Sequence, residues 1–103
     1  MEKIEKLKTF LNNSPEDSFI QHALALEYIK LGDESQARQL FLEILNRDPS
    51  YIGSYYHLGR LLERAGEPDL ARSWYEKGMI AAKNAGDLHA YNELQAAYED
   101  LID

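Results

Sequence analysis

Shifted by 34 residues, the sequence lies over itself. Leu11-Asn12 meets Leu45-Asn46, Pro15 meets Pro49, and Leu24 meets Leu58; Gly32 meets Gly66, and Ala37-Arg38 meets Ala71-Arg72. Similar residues fill the gaps: Ala25 with Gly59, Phe10 with Ile44, and Leu7 with Phe41 and then Tyr75. Self-similarity at this period marks structural units that cannot bury their apolar faces alone and stack to share a core.

Each unit reads as a helical hairpin. Ser14 stands as an N-cap with Pro15 in the first helical turn and Asp17 completing an approximate capping box. Phe19, Ile20, Ala23, Leu24, Tyr28 and Leu31 then recur at helical spacing up to the stop at Gly32. Asp33 caps a second helix whose apolar side carries Ala37, Leu40, Phe41, Ile44 and Leu45. Asp48-Pro49 opens the next unit, with helices expected over 49–65 and 68–84. Asp87 caps a last helix bearing Leu88, Tyr91, Leu94, Tyr98 and Leu101 on one side. At the other end, Ile4, Leu7, Phe10 and Leu11 make a half-unit of residues 2–12. The expected organisation is one domain over 1–103: a half-repeat helix at 2–12, repeats at 15–48 and 49–84, and a capping helix at 87–102. Six helices and no strand follow.

A chain of 103 residues with 45% hydrophobic and 28% charged residues fits a folded globular domain with a modest core. It has no cysteine, which excludes disulfides and thiolate metal sites. The start, MEKIEKLKTFLNNS, lacks the apolar segment of a signal peptide, and no 18-residue apolar run occurs, so a soluble, cytoplasmic protein is expected with no membrane partner. The net charge is −7, and the last 20 residues carry five acids and no Lys or Arg. Such a chain repels a phosphate backbone, which argues against nucleic acid.

The period and the residues that recur with it resemble the tetratricopeptide repeat (TPR). Counted from Ser18, the first unit has Leu24, Ala25, Tyr28, Ala37, Phe41 and Pro49 at matching places; counted from Ile52, the second has Tyr55, Leu58, Gly59, Ala71, Tyr75 and Gly78. Gln21 and Ile44 depart from the pattern in the first unit, as do Leu62 and Lys83 in the second. The last helix matches at an offset of 36, Tyr55 to Tyr91 and Leu58 to Leu94, so two residues have entered around KNAGD. The resemblance implies an all-α fold, a right-handed superhelical stack of antiparallel helix pairs.

It also implies a function: a non-catalytic module that binds a protein or peptide segment in the groove lined by the first helix of each pair. Carried over residue by residue, the groove offers Phe19, His22, Leu26 and Lys30 from the first unit, with Ala23 and Ile29 beside them. The second offers Tyr56, His57, Arg60 and Arg64, with Gly53 and Glu63, and the capping helix offers His89, Asn92, Glu93 and Ala96. Lys30, Arg60 and Arg64 make this wall basic, which suits an acidic peptide or a free C-terminal carboxylate. Local pairing of the arginines with Glu63, Glu67 or acids of the last helix is the competing expectation. One TPR subclass grips chaperone tails with a clamp of Lys, Asn, Asn, Lys and Arg; His22, Leu26, His57, His89 and Glu93 stand at those places, and none matches.

All three histidines, His22, His57 and His89, fall on groove positions; a metal-binding protein built on them is the third and least favoured reading, since no HxxxH or ExxH pair supports a metal site, and no cofactor is implied. No phosphate loop, nucleophile elbow or carboxylate dyad occurs, so no enzyme is expected. Ser14 and Ser50 belong to helix starts, and Trp74 to packing or the edge of the surface. The alternative function is self-association: terminal helices carrying Ile4, Leu7, Phe10, Tyr98 and Leu101 continue the core between chains to give a homodimer.

Overall fold

The structure is a computed structural model and describes residues 2–103. Among the described residues it contains six α-helices and no strand. The helices fall into two compact units, divided between Asp48 and Pro49.

The first unit holds α1 (Glu2–Asn13), α2 (Ser18–Lys30) and α3 (Glu34–Arg47), with α2 packed on both neighbours. Leu24 and Ala25 of α2, Ala37, Phe41, Ile44 and Leu45 of α3, and Ile4 of α1 are buried. Phe10 belongs to the apolar stripe expected of α1 but is 56% exposed. Glu27 of α2 accepts ion pairs from Lys30 at 3.1 Å and from Lys3 of α1 at 3.4 Å. The bond from Lys30 leads in holding its carboxyl below the usual range.

The second unit holds α4 (Gly53–Arg64), α5 (Pro68–Ala85) and α6 (Leu88–Ile102). Here α5 is the central helix, and α6 packs mainly on α5 and to a lesser extent on α4. Tyr55, Leu58, Leu61 and Leu62 of α4, Ala71, Tyr75 and Ala82 of α5, and Leu94 and Ala97 of α6 are buried. Two glycines set how closely α4 and α5 approach. A Cβ at Gly59 would overlap the Tyr75 ring; one at Gly78 would lie 2.7 Å from Tyr55 Cβ and 3.0 Å from Leu94 Cδ1. Neither site has space for a methyl group.

Three helices end alike. Gly32, Gly66 and Gly86 all have positive φ, near +75°, a conformation that side chains bearing a Cβ rarely adopt. In each case the glycine N–H and the next residue's N–H return to carbonyls of the last turn: Asp33 to Tyr28, Glu67 to Leu62, and Asp87 to Ala82, at 2.9 Å. This is the Schellman closure. Asp33 and Asp87 then cap the following helices, accepting from Gln36 N and Ala90 N as expected.

Two helix starts differ from expectation. Ser14 does not cap α2. Ser14-Pro15-Glu16 form a turn closed by Asp17 N to Ser14 O at 3.1 Å, and Asp17 is the cap, accepting from Ile20 N. Proline suits the second position of such a turn as well as it suits a helix start, so Pro15 alone does not decide between them. Pro49-Ser50 also form a turn, and α4 begins at Gly53 without a side-chain cap. The two inserted residues lie inside α5: with Lys83 where the repeat pattern has proline, the helix continues to Ala85 and Gly86 stops it.

Leu58→Ala empties a fully buried site and is expected to lower unfolding free energy by about 2–5 kcal/mol in urea titration. Gly78→Ala improves helix propensity, yet overpacking against Tyr55 should leave a net loss of about 1–3 kcal/mol. An unchanged midpoint for Gly78→Ala would mean that α4 and α5 separate freely.

Candidate functional site

The expected groove residues of the first unit lie along α2. Phe19 is 73% exposed and Lys30 is exposed, while His22 and Leu26 are half-buried. Two of the four have partners within the unit. The His22 ring packs edge-on against Phe41 at 5.4 Å, and Lys30 bonds Glu27. Gln21, which departs from the repeat pattern, is buried with a partner: Arg47 donates to its side-chain oxygen at 2.5 Å and to Ser18 Oγ at 2.9 Å.

In the second unit, Tyr56, Arg60 and Arg64 recur every four residues on α4, which places them on one face. Tyr56 and His57 are half-buried, and Arg60 and Arg64 are exposed. His89 and Asn92 are exposed on α6. The Tyr56 and His57 rings meet edge-on at 5.7 Å. Burial pushes the His57 imidazole below its ordinary pKa, the nearby Glu93 carboxylate acts against this, and Arg64 adds to it. Those influences bring α4 and α6 into one electrostatic neighbourhood, containing His57, Arg64 and Glu93.

Arg60 does meet a local acid. Its Nη1 lies 3.7 Å from a Glu63 carboxylate oxygen, longer than the 2.7–2.9 Å typical of a charge-assisted hydrogen bond. The same oxygen accepts a hydrogen bond from the Tyr75 hydroxyl. Burial first, and the Glu63 carboxylate second, push the Tyr75 hydroxyl well above the usual phenol range, so it remains a protonated donor. Sequence spacing gave no sign of this link, because it joins the core face of α5 to the surface face of α4.

A second feature escaped the sequence pattern. Tyr55, Lys77, Ile80, Ala81 and Asn84 line a cleft of about 420 Å³ beside Pro49, with Ile80 63% exposed. The Tyr55 hydroxyl donates to the Pro49 carbonyl, and Lys77 lies over the Trp74 ring at 4.4 Å. Trp74 thus holds the edge of α5, next to Tyr55 at 6.0 Å. No cluster of three His, Cys, Asp or Glu side chains able to hold a metal ion occurs among the described residues, and none of their helices is long and apolar enough to cross a membrane.

The architecture has close counterparts. A TPR repeat-containing protein of Pseudomonas aeruginosa is 28% identical over 91 residues, spanning 88% of this chain and 87% of that protein. The solution structure of a tetratricopeptide repeat domain protein from Salinibacter ruber matches with a TM-score of 0.81 and 41% identity, covering 84% of this chain and 88% of its own. A protein of Bordetella parapertussis matches with a TM-score of 0.82 and 26% identity over 96% of this chain and 86% of its own. The tetratricopeptide repeat model matches residues 20–51 and 52–79, more than half of the sequence. With the tandem hairpins, the small residues under Tyr55 and Tyr75, and these matches in hand, the chain belongs to the tetratricopeptide repeat family, and is a protein–protein interaction module of that general kind.

Proposed function

We propose that the chain is a non-catalytic adaptor, built on repeats at 15–48 and 49–84 with flanking helices at 2–12 and 87–102, and that the α4–α6 face of its second unit holds an acidic peptide segment. The observation that carries this reading is the row Tyr56, Arg60, Arg64: two exposed guanidinium groups one turn apart, on a chain of net charge −7. A peptide carboxylate, from Asp, Glu or a free C-terminus, is the ligand group whose geometry matches a guanidinium fork. Tyr56 adds apolar contact, and His89 and Asn92 add polar contact from α6. Phe19, His22, Leu26 and Lys30 are the corresponding row of the first unit. That row is the weaker candidate for acid recognition, because it carries a single cation, Lys30, against the two arginines of the second.

Self-association into a homodimer is a second reading, supported by Phe10, Leu88 and Ile102, which are 56%, 72% and 52% exposed. Light scattering over a range of concentrations decides it: constant monomer mass removes it.

The primary reading is tested on an array of short peptides varied in acidic content and ending in either a carboxylate or an amide. Acid-rich peptides should bind, more weakly as salt rises. Arg60→Glu with Arg64→Glu should abolish capture, with helicity and melting nearly unchanged. Undiminished capture by the double variant overturns the proposal.

His57 gives a separate pH prediction. Its pKa in the folded chain lies below the unfolded value of 6.5, so at mildly acid pH the unfolded state binds more protons. The stability associated with neutral His57 is full above about pH 6.5 and is lost as pH falls towards the lowered pKa. Urea unfolding at about pH 7.5 and 5.5 should show the wild type weakening more on acidification than His57→Gln. Equal weakening would place the pH response elsewhere.

A further inference from the structure

The two units can be compared residue by residue at the 34-residue offset. Leu26, Ile29 and Phe41 of the first correspond to Arg60, Glu63 and Tyr75 of the second. Three apolar positions are thus replaced together by a cation, an anion and a phenol. In the second unit the three form a series running from core to surface. Tyr75 is fully buried and donates to Glu63; Glu63 is 26% exposed; the same carboxylate oxygen stands 3.7 Å from Arg60, which is 46% exposed.

A fourth difference makes the series possible. Ala25 of the first unit becomes Gly59, where a Cβ would overlap the Tyr75 ring. Without that methyl group the ring crosses α4 at Gly59, and its hydroxyl reaches the side chain one turn further along the same face. Phe41 in the first unit has no hydroxyl to deliver, and Ile29 has nothing to accept it. The polar series is therefore built into the second unit alone, beneath the arginine row.

We propose that Tyr75 is a positioning residue for ligand recognition: by holding the Glu63 carboxylate from the core side, it keeps that internal anion from closing onto Arg60 and leaves the guanidinium facing an incoming carboxylate. This rests on the acidic-peptide reading above. Glu63 is the nearest competitor for Arg60, and a carboxylate that closed to bidentate distance would occupy the donors a ligand needs. The hydroxyl offers Glu63 a second partner inside the core, where a hydrogen bond to a charged acceptor is strong and its loss is felt. Arg60 is then held near Glu63 without being saturated by it.

The test has one arm that needs no ligand. In the free protein, Tyr75→Phe should shift the Arg60 Nε–Hε signal downfield and slow its exchange with water, as Glu63 closes in. Adding Glu63→Gln should restore wild-type behaviour, since no anion remains to close. An unmoved Arg60 signal in a folded Tyr75→Phe chain overturns the proposal.

The second arm uses a fluorescein-labelled hexapeptide rich in Asp and Glu with a free C-terminus. Tyr75→Phe should weaken its binding about three- to tenfold in the wild-type background and leave it unchanged in either the Glu63→Gln or the Arg60→Ala background. An equal loss in the Glu63→Gln background would make Tyr75 merely structural and also overturn the proposal. If Arg60→Glu with Arg64→Glu binds this peptide as well as wild type does while the Arg60 signal still responds to Tyr75→Phe, the acidic-peptide reading fails and the positioning of Arg60 stands.

Discussion

The second unit depends on a reciprocal contact in which each of two helices supplies the glycine that the other's tyrosine needs. Gly59 of α4 receives the Tyr75 ring from α5, and Gly78 of α5 receives Tyr55 from α4. Close packing leaves no room for a methyl group at either place, so these two positions set the approach of the pair. Their consequences reach both edges of the unit. Tyr55 extends to the Pro49 carbonyl and stands beside Trp74, while Tyr75 extends to Glu63 under the arginine row. Leu94 of α6 comes within 3.0 Å of a Cβ placed at Gly78, so the seating of the last helix depends on the same absent atom.

Around that contact, the helix ends repeat one device. A glycine at positive φ closes the helix, and where an aspartate follows, at Asp33 and Asp87, it caps the next one. At the third such site Glu67 precedes Pro68 and makes no side-chain cap bond, and the proline's fixed φ begins α5 instead. The one irregular length, that of α5, has an equally local cause. Lys83 permits the helix to continue where proline would have ended it, and the residues of α6 consequently match those of α4 at an offset of 36 in place of 34, Tyr55 to Tyr91 and Leu58 to Leu94.

Much of this architecture is legible in sequence because it depends on short-range pattern. The period of 34, the stops at Gly32 and Gly66, and the caps at Asp33 and Asp87 each follow from residue type and spacing. Proline is less decisive. Pro15 and Pro49 suit both a first helical turn and a β-turn, and the choice falls to the neighbours: Asp17, not Ser14, has its side chain where Ile20 N can reach it. Contacts between helices are harder still. Spacing identifies Arg60 and Glu63 as neighbours on α4, but the hydroxyl that engages Glu63 comes from twelve residues away on another helix. His22 matches a groove position by count, yet its ring finds Phe41. Buried Gln21 reads as a flaw in the pattern until Arg47 is seen to answer it.

A net charge of −7 opposes the approach of an acidic ligand, and the scale of each force resolves the conflict. Charge on the whole chain acts through solvent and is screened over about 8 Å at physiological ionic strength, so it slows encounter more than it weakens the bound state. Recognition is decided within hydrogen-bond distance, where a guanidinium fork and a carboxylate meet by geometry. Glu93, near His57 and Arg64, then acts against a carboxylate laid along α6, while Arg60 lies four residues back along the same face of α4 from Arg64. On the proposed reading, binding acid through a few placed cations also rejects non-specific polyanions, whose attraction depends on a summed positive charge that this protein lacks.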